Sequence, residues 1–231
     1  MKTSKIIIIT LLGTIALLIV VPLINMRLNG HRINELSSDF MSKRDALQAF
    51  KVITINNSRN VLLVQNDSAF LEVTYLKDSI APRVNYTIEA DTLKLSDFGK
   101  SIPRNVSVKI KVTNSLTRIQ LKNSDLSMEK FRTGKLSLNL DRSSVSMGWN
   151  ESSLQTCPFL DIVAINGSHF KSGNFKIDSL GIVLQNSNAE IRNVAKKISG
   201  SLTDRSKINT RQPIEITLKR DATSKINVDD Y

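Results

Sequence analysis

Five serines, Ser124, Ser143, Ser168, Ser187 and Ser206, follow one another at intervals of 19, 25, 19 and 19 residues, each in the same local frame. Apolar residues precede them at alternate positions: Ile119 and Leu121, then Leu136, Leu138 and Leu140, then Leu180, Ile182 and Leu184. A second apolar pair follows several of them, as in Leu126/Met128, Val145/Met147 and Ala189/Ile191. Period two marks a half-buried strand, so each unit reads strand–turn–strand. One such unit is too thin to bury both its faces, whereas stacked units share a continuous core. The residues before the serines are Asn123, Arg142, Gly167, Asn186 and Arg205. Asn and Gly there suit a left-handed turn conformation.

The pattern predicts an all-β fold, a right-handed parallel β-helix-like solenoid with rungs of about 19 residues. In two rungs the apolar set is shifted by one residue (Leu160, Ile162, Ala164 and Ile198, Gly200, Leu202), as a bulge or an altered turn produces. Leu121, Leu140, Ile165, Leu184 and Leu202 are expected to stack in one buried column, and Ile214, Ile216 and Leu218 to form the last rung. The rung serines read as a structural hydroxyl ladder that satisfies turn backbone groups.

Upstream of the repeat the period is also two. Val106, Val108, Ile110 and Val112 alternate with Ser107, Lys109 and Lys111, and Val52–Ile55, Val61–Val64, Leu71–Val73 and Leu93–Leu95 are further short strands. The segments FKVITINNSRNVLLVQNDSAFLEV (Phe50–Val73), DTLKLSD (Asp91–Asp97) and IPRNVSVKIKV (Ile102–Val112), with the ladder from Leu116 to Ser124, resemble the putative auto-transporter adhesin head domain family, also called the GIN domain. The resemblance covers about Ala49 to Val228 and rests on structural motifs. It implies a β-helix-like fold on an extracytoplasmic bacterial protein, with no established activity. This chain departs from the usual Gly-Ser rung turns, mostly showing Asn-Ser or Arg-Ser.

The run Ile6–Met26 holds no charged residue and, as a helix, spans roughly 30 Å, the hydrocarbon thickness of a bilayer. It is longer than a signal-peptide core, and no Ala-x-Ala-like cleavage site follows it, so an uncleaved anchor is expected. The domain reading is residues 1–5 as a cytoplasmic n-region, 6–26 as a transmembrane helix, 27–48 as a stalk helix or linker, and 49–231 as the β body. The stalk rests on Ile33, Leu36, Phe40 and Leu47, which fall on one helical face. Lys and Arg flank the run on both sides, so charge alone does not orient it. The short n-region favours a single-pass protein of the bacterial inner membrane with its body in the periplasm.

Chemistry-bearing residues are few. A single cysteine, Cys157, excludes an internal disulfide framework and multi-Cys zinc sites, and two histidines leave little for a triad or a metal centre. No cofactor is expected. Asp141-Arg142 and Asp204-Arg205 recur beside the serines but fall three rungs apart, about 15 Å. They read as solvated turn residues rather than a converging acid–base pair. The expectation is a non-enzymatic envelope module for binding or scaffolding, adhesion-related or binding anionic envelope components. The alternative is a β-helix enzyme acting on acidic polysaccharide.

The 25-residue interval inserts a loop around Gly148–Phe159, which carries the only tryptophan, Trp149, and the only cysteine. Extra residues on one rung map to one face, often a binding face, so Trp149, Asn150, Lys171 and Lys176 are the candidate ligand-binding residues. The competing reading has Trp149 covering the flank of the core and Cys157 acting as a small hydrophobe. The formal net charge is +11, of which +3 falls on residues 1–48 and the rest on the body. Such a surface suits an anionic glycan, a lipid or an envelope protein. Aromatics are only 5% and are not interleaved with Lys and Arg, which speaks against nucleic acid.

Overall fold

In a computed structural model of the chain, the described residues are 18, 39–80, 82–98, 106–148, 155–192, 196–211 and 213–229. The chain divides into two compact units, Met1–Phe40 and Met41–Tyr231. The second holds almost all the described residues. Among the described residues no helix is long and apolar enough to cross a membrane, and the run 6–26, apart from Leu18, lies outside them.

Two large sheets make up the body. One has ten strands in the order β1 (Phe40–Ala46), β4 (Phe70–Leu76), β7 (Ser107–Val112), β3 (Val61–Gln65), β9 (Asp125–Glu129), β11 (Ser144–Met147), β14 (His169–Ser172), β17 (Asn188–Ile191), β19 (Lys207–Arg211) and β21 (Lys225–Asp229). The other has nine, in the order β20 (Glu215–Arg220), β18 (Lys197–Thr203), β16 (Ser179–Gln185), β13 (Phe159–Ile165), β10 (Lys135–Asp141), β8 (Arg118–Lys122), β2 (Val52–Asn56), β6 (Thr92–Ser96) and β5 (Asn85–Glu89). A short third sheet pairs β12 (Gln155–Thr156) with β15 (Phe175–Lys176).

From β8 onward each repeat unit gives one strand to each large sheet, and successive units pair parallel and in register. Equivalent apolar residues therefore lie one above another at about 4.8 Å. One column runs Ile53, Ile119, Leu138, Ile162 and Ile182, each at most 1% exposed. The facing sheet contributes Val61, Leu126, Val145, Phe170, Ala189 and Ile208. Each large apolar side chain so buried contributes about 1.5–3 kcal/mol.

The structure corrects four of the expectations. The column through Leu121 and Leu140 continues through Ala164, not Ile165, before Leu184 and Leu202; Ile165 pairs with Gln185 and Asp141 on the outer face. The cause lies in the turn. Asn123, Arg142 and Asn186 make one-residue left-handed turns, whereas Asn166-Gly167 and Asp204-Arg205 put two consecutive residues at positive φ. The extra residue moves the serine one place further from the last inward side chain.

The first units do not stack in chain order. β6 and β7 lie on one side of β2 and β3, and the chain then crosses to place β8 and β9 on the other. Nor are the sheets wholly parallel, since β4 runs antiparallel to β7 and β5 to β6. Finally, Phe40–Ala46, read as the end of a stalk helix, is strand β1, next to β4. Its apolar spacing fits a helix, but its backbone groups find a sheet edge. Ile33 and Leu36 lie outside the described residues.

Candidate functional site

The rung serines are joined by hydrogen bonds into one ladder. Each hydroxyl donates to a carbonyl at the foot of its own turn, two residues back for Ser124, Ser143 and Ser187 and three back for Ser168 and Ser206, at 2.6–2.9 Å. Each hydroxyl oxygen also accepts the backbone N–H of the serine in the preceding unit, at 3.1–3.2 Å from Ser143 onward. Two members escaped the sequence reading. The Ser58 N–H donates to Ser124 Oγ (3.0 Å) and the Ser206 N–H to Ser224 Oγ (3.1 Å). Asn57-Ser58 after Ile53 and Ile55 carries the same signature as Asn123-Ser124 and could have been found. All seven serines are buried; six donate to backbone carbonyls, and Ser224 donates instead to the Asp221 carboxylate.

The turn carboxylates are likewise engaged locally. Asp141 accepts from Asn166 (2.8 Å) and pairs with Arg142 (3.6 Å), and Asp204 accepts from Gln185 (2.9 Å). Asp221 organises the last turn: hydrogen bonds from Ser224, the Asp204 N–H and Thr223 hold its carboxyl well below the usual carboxylate range. Among the described residues no group of three or more His, Cys, Asp or Glu could hold a metal ion.

Trp149 and Asn150 lie outside the described residues. Behind them, Gln155–Thr156 forms β12, and the Gln155 side-chain carbonyl accepts the Phe131 N–H at 2.9 Å. Cys157 is fully buried, its thiol donates to the Phe159 carbonyl (3.2 Å), and burial pushes it up to about 12. It packs as a small hydrophobe. Lys171 and Lys176 are not brought together: Lys171 stands on β14 in the ten-strand sheet, 3.9 Å from Glu190, and Lys176 is exposed on β15 in the two-strand sheet. His169 begins β14, and burial, then the Lys171 charge, holds its imidazole below the usual range.

A different cluster emerges where β1, β4, β7, β3 and β9 meet. Glu72 is buried on the outer face of β4. Burial alone would raise its carboxyl, but the hydrogen bond from Arg44 Nε (2.7 Å) and the charges of Arg44, Lys109 (3.7 Å) and Lys111 outweigh that and lower it. The Arg44 guanidinium also lies 5.3 Å from the centre of the Phe70 ring, a cation–π distance. Lys111, paired with Phe70 in the ladder, is pushed below the usual lysine range by burial and by Lys109, with Lys130 and Arg44 adding to this and Glu72 opposing it.

Lys130 and Arg132 line an adjoining open hollow of about 400 Å³, together with Gln65, Asn66, Asp67 and Asn114. Three cations, Arg44, Lys109 and Lys111, thus act on one buried carboxylate, and two more, Lys130 and Arg132, line the hollow beside them together with Asp67. Among the described residues Lys111, Lys130 and Arg132 form no ion pair. The sequence reading did not single out this cluster, because its residues come from separate segments that the out-of-order stacking of β7, β3 and β9 brings together.

No protein-family model matches this sequence, and none of the curated proteins is similar to it. Among solved structures, the first of the following three shares the fold, by its TM-score. A protein of Bacteroides fragilis described as a "putative adhesin" is 15% identical, with a TM-score of 0.59 over 82% of this chain and 97% of that one. A "putative lipid binding protein" of Parabacteroides distasonis is 14% identical, with a TM-score of 0.44 over 83% and 97%. A "putative adhesin" of Parabacteroides merdae is 12% identical, with a TM-score of 0.41 over 83% and 97%.

Proposed function

We propose that this chain is a non-enzymatic, membrane-anchored module of the bacterial cell envelope that binds anionic envelope polymers or headgroups through the corner formed by Arg44, Lys109, Lys111, Lys130 and Arg132. The observation that carries this reading is the placement of the cations: Arg44 and Lys109 stand 2.7 and 3.7 Å from the buried Glu72, and Lys130 and Arg132 line the hollow beside them. Cations crowded around a single carboxylate repel one another, and an anion entering the hollow relieves that repulsion. The adhesin description of the Bacteroides fragilis structure, which shares the fold, supports a binding role. In this reading residues 6–26 span the inner membrane once and the body is periplasmic. The repeat units wind as a right-handed parallel β-solenoid. Trp149 and Asn150 form a second contact on the inserted segment.

The competing reading, a β-helix enzyme on acidic polysaccharide, needs carboxylates converging on one groove. Asp141 and Asp204 sit in different turns, bound to Asn166 and Gln185.

Retention of the full chain, in mild detergent, on immobilised polygalacturonate separates these outcomes. Binding should fall with rising salt, and Lys130→Glu/Arg132→Glu should weaken it at least about tenfold while neutral dextran is not retained. Unchanged retention in that variant would remove the corner from the account. Release of reducing ends from the polymer would establish the enzyme instead.

A further inference from the structure

We propose that two copies of this chain associate end to end, each pairing its open edges β20 and β21 antiparallel with the same strands of the other about one two-fold axis. At the opposite end the nine-strand sheet is finished by β5, which runs against β6. At this end β20 and β21 are the last strands of their sheets, and both run parallel to their one neighbour. Among the described residues nothing covers them. Ile216 and Val228 are each 37% exposed, although the residues they stack on in the ladder, Ile198 and Thr210, are buried.

The edges match their own copies in three respects. The first is hydrogen bonding. The Glu215 N–H donates to the Lys196 carbonyl and the Asp221 N–H to the Leu202 carbonyl, so the odd-numbered residues of β20 turn their peptide groups toward β18. The peptide groups of Ile216 and Leu218 therefore face the open edge. In β21 the Lys225 N–H donates to the Ser206 carbonyl, which leaves the groups of Ile226 and Val228 facing outward. An antiparallel pairing centred on Thr217 sets Ile216 opposite Leu218 of the second copy, a doubly hydrogen-bonded pair. One centred on Asn227 does the same for Ile226 and Val228.

The second is side-chain chemistry. On the inner face these registers put apolar opposite apolar. On the outer face they put Glu215 opposite Lys219, twice by symmetry, where like charges would destabilise the pair. The third is geometry. Thr217 and Asn227 lie a few residues to either side of the turn that joins the two strands, on facing sheets, so one axis can serve both. An unpaired parallel edge invites strand addition, and here the partner that fits is the edge itself.

Sedimentation of the full chain in density-matched detergent tests this, with a circular dichroism melt for each variant to show that it folds. The native chain should be a dimer. Glu215→Lys should raise its dissociation constant about tenfold, and Glu215→Lys/Lys219→Glu should restore it. Directly opposed, non-hydrogen-bonded residues lie about 4.5 Å apart at Cα, within disulfide reach. Thr217→Cys should therefore form a disulfide-linked dimer on mild oxidation, Ser127→Cys should not, and the buried Cys157 adds no background. A monomeric chain, an association unchanged by Glu215→Lys, or no crosslink at Thr217→Cys would each overturn the proposal.

Discussion

Gly200 leaves no room for a side chain against the neighbouring strand. It holds φ at +138°, and a Cβ built on it would run into the backbone carbonyl of Ile182. Its place in the ladder, between Ile182 and Leu218, is one where other units carry Ile or Leu. Gly200→Ala should therefore cost about 3 kcal/mol, read as a loss of denaturation midpoint, because rigid backbone and not a side-chain tip must give way. Charge at single residues governs the pH response. His169 and Glu72 both titrate below their ordinary values in the folded chain. In each case the unfolded chain binds protons first, so stability present at neutral pH is lost on acidification. The first loss, from His169, should begin as pH falls below about 6.5, and the second, from Glu72 together with Asp221, below about 4.5. Urea midpoints measured from pH 8 to pH 3 should show both, and His169→Gln should erase only the first.

At the level of the elements, the serine ladder fastens one turn to the next. Ser168→Ala takes away the buried acceptor of the Ser143 N–H and the part-buried donor to the Ile165 carbonyl. A cost of about 1–3 kcal/mol is expected, against less than about 0.5 for Ser127→Ala on the exposed face. Equal melting points for the two variants would show the ladder to be incidental. The serine period was legible in the sequence because stacking in register repeats one local pattern, and so was alternation along each strand. What was not legible followed from pairings made far apart in the chain. A double left-handed turn at Asn166-Gly167 slipped one apolar position, and the helical spacing of Phe40 and Leu47 hid an edge strand. The basic corner draws on β1, β4, β7 and the end of β9, and no local window contains all four.

For the whole molecule, the relation between scaffold and surface matters most. The core is continuous from Phe50 to Ile208, and the ladder fixes each turn, so the outer faces can vary without cost to the fold. The Arg44–Lys130 corner is one such variation, and anion binding is proposed chiefly there. Lysine acetylation of the full chain, with and without polygalacturonate, followed by peptide mass spectrometry, tests that assignment most directly. Lys109, Lys111 and Lys130 should be shielded severalfold by the polymer, with Lys171 and Lys176 modified as before. Shielding confined to Lys171 and Lys176, or spread evenly over all lysines, would contradict it.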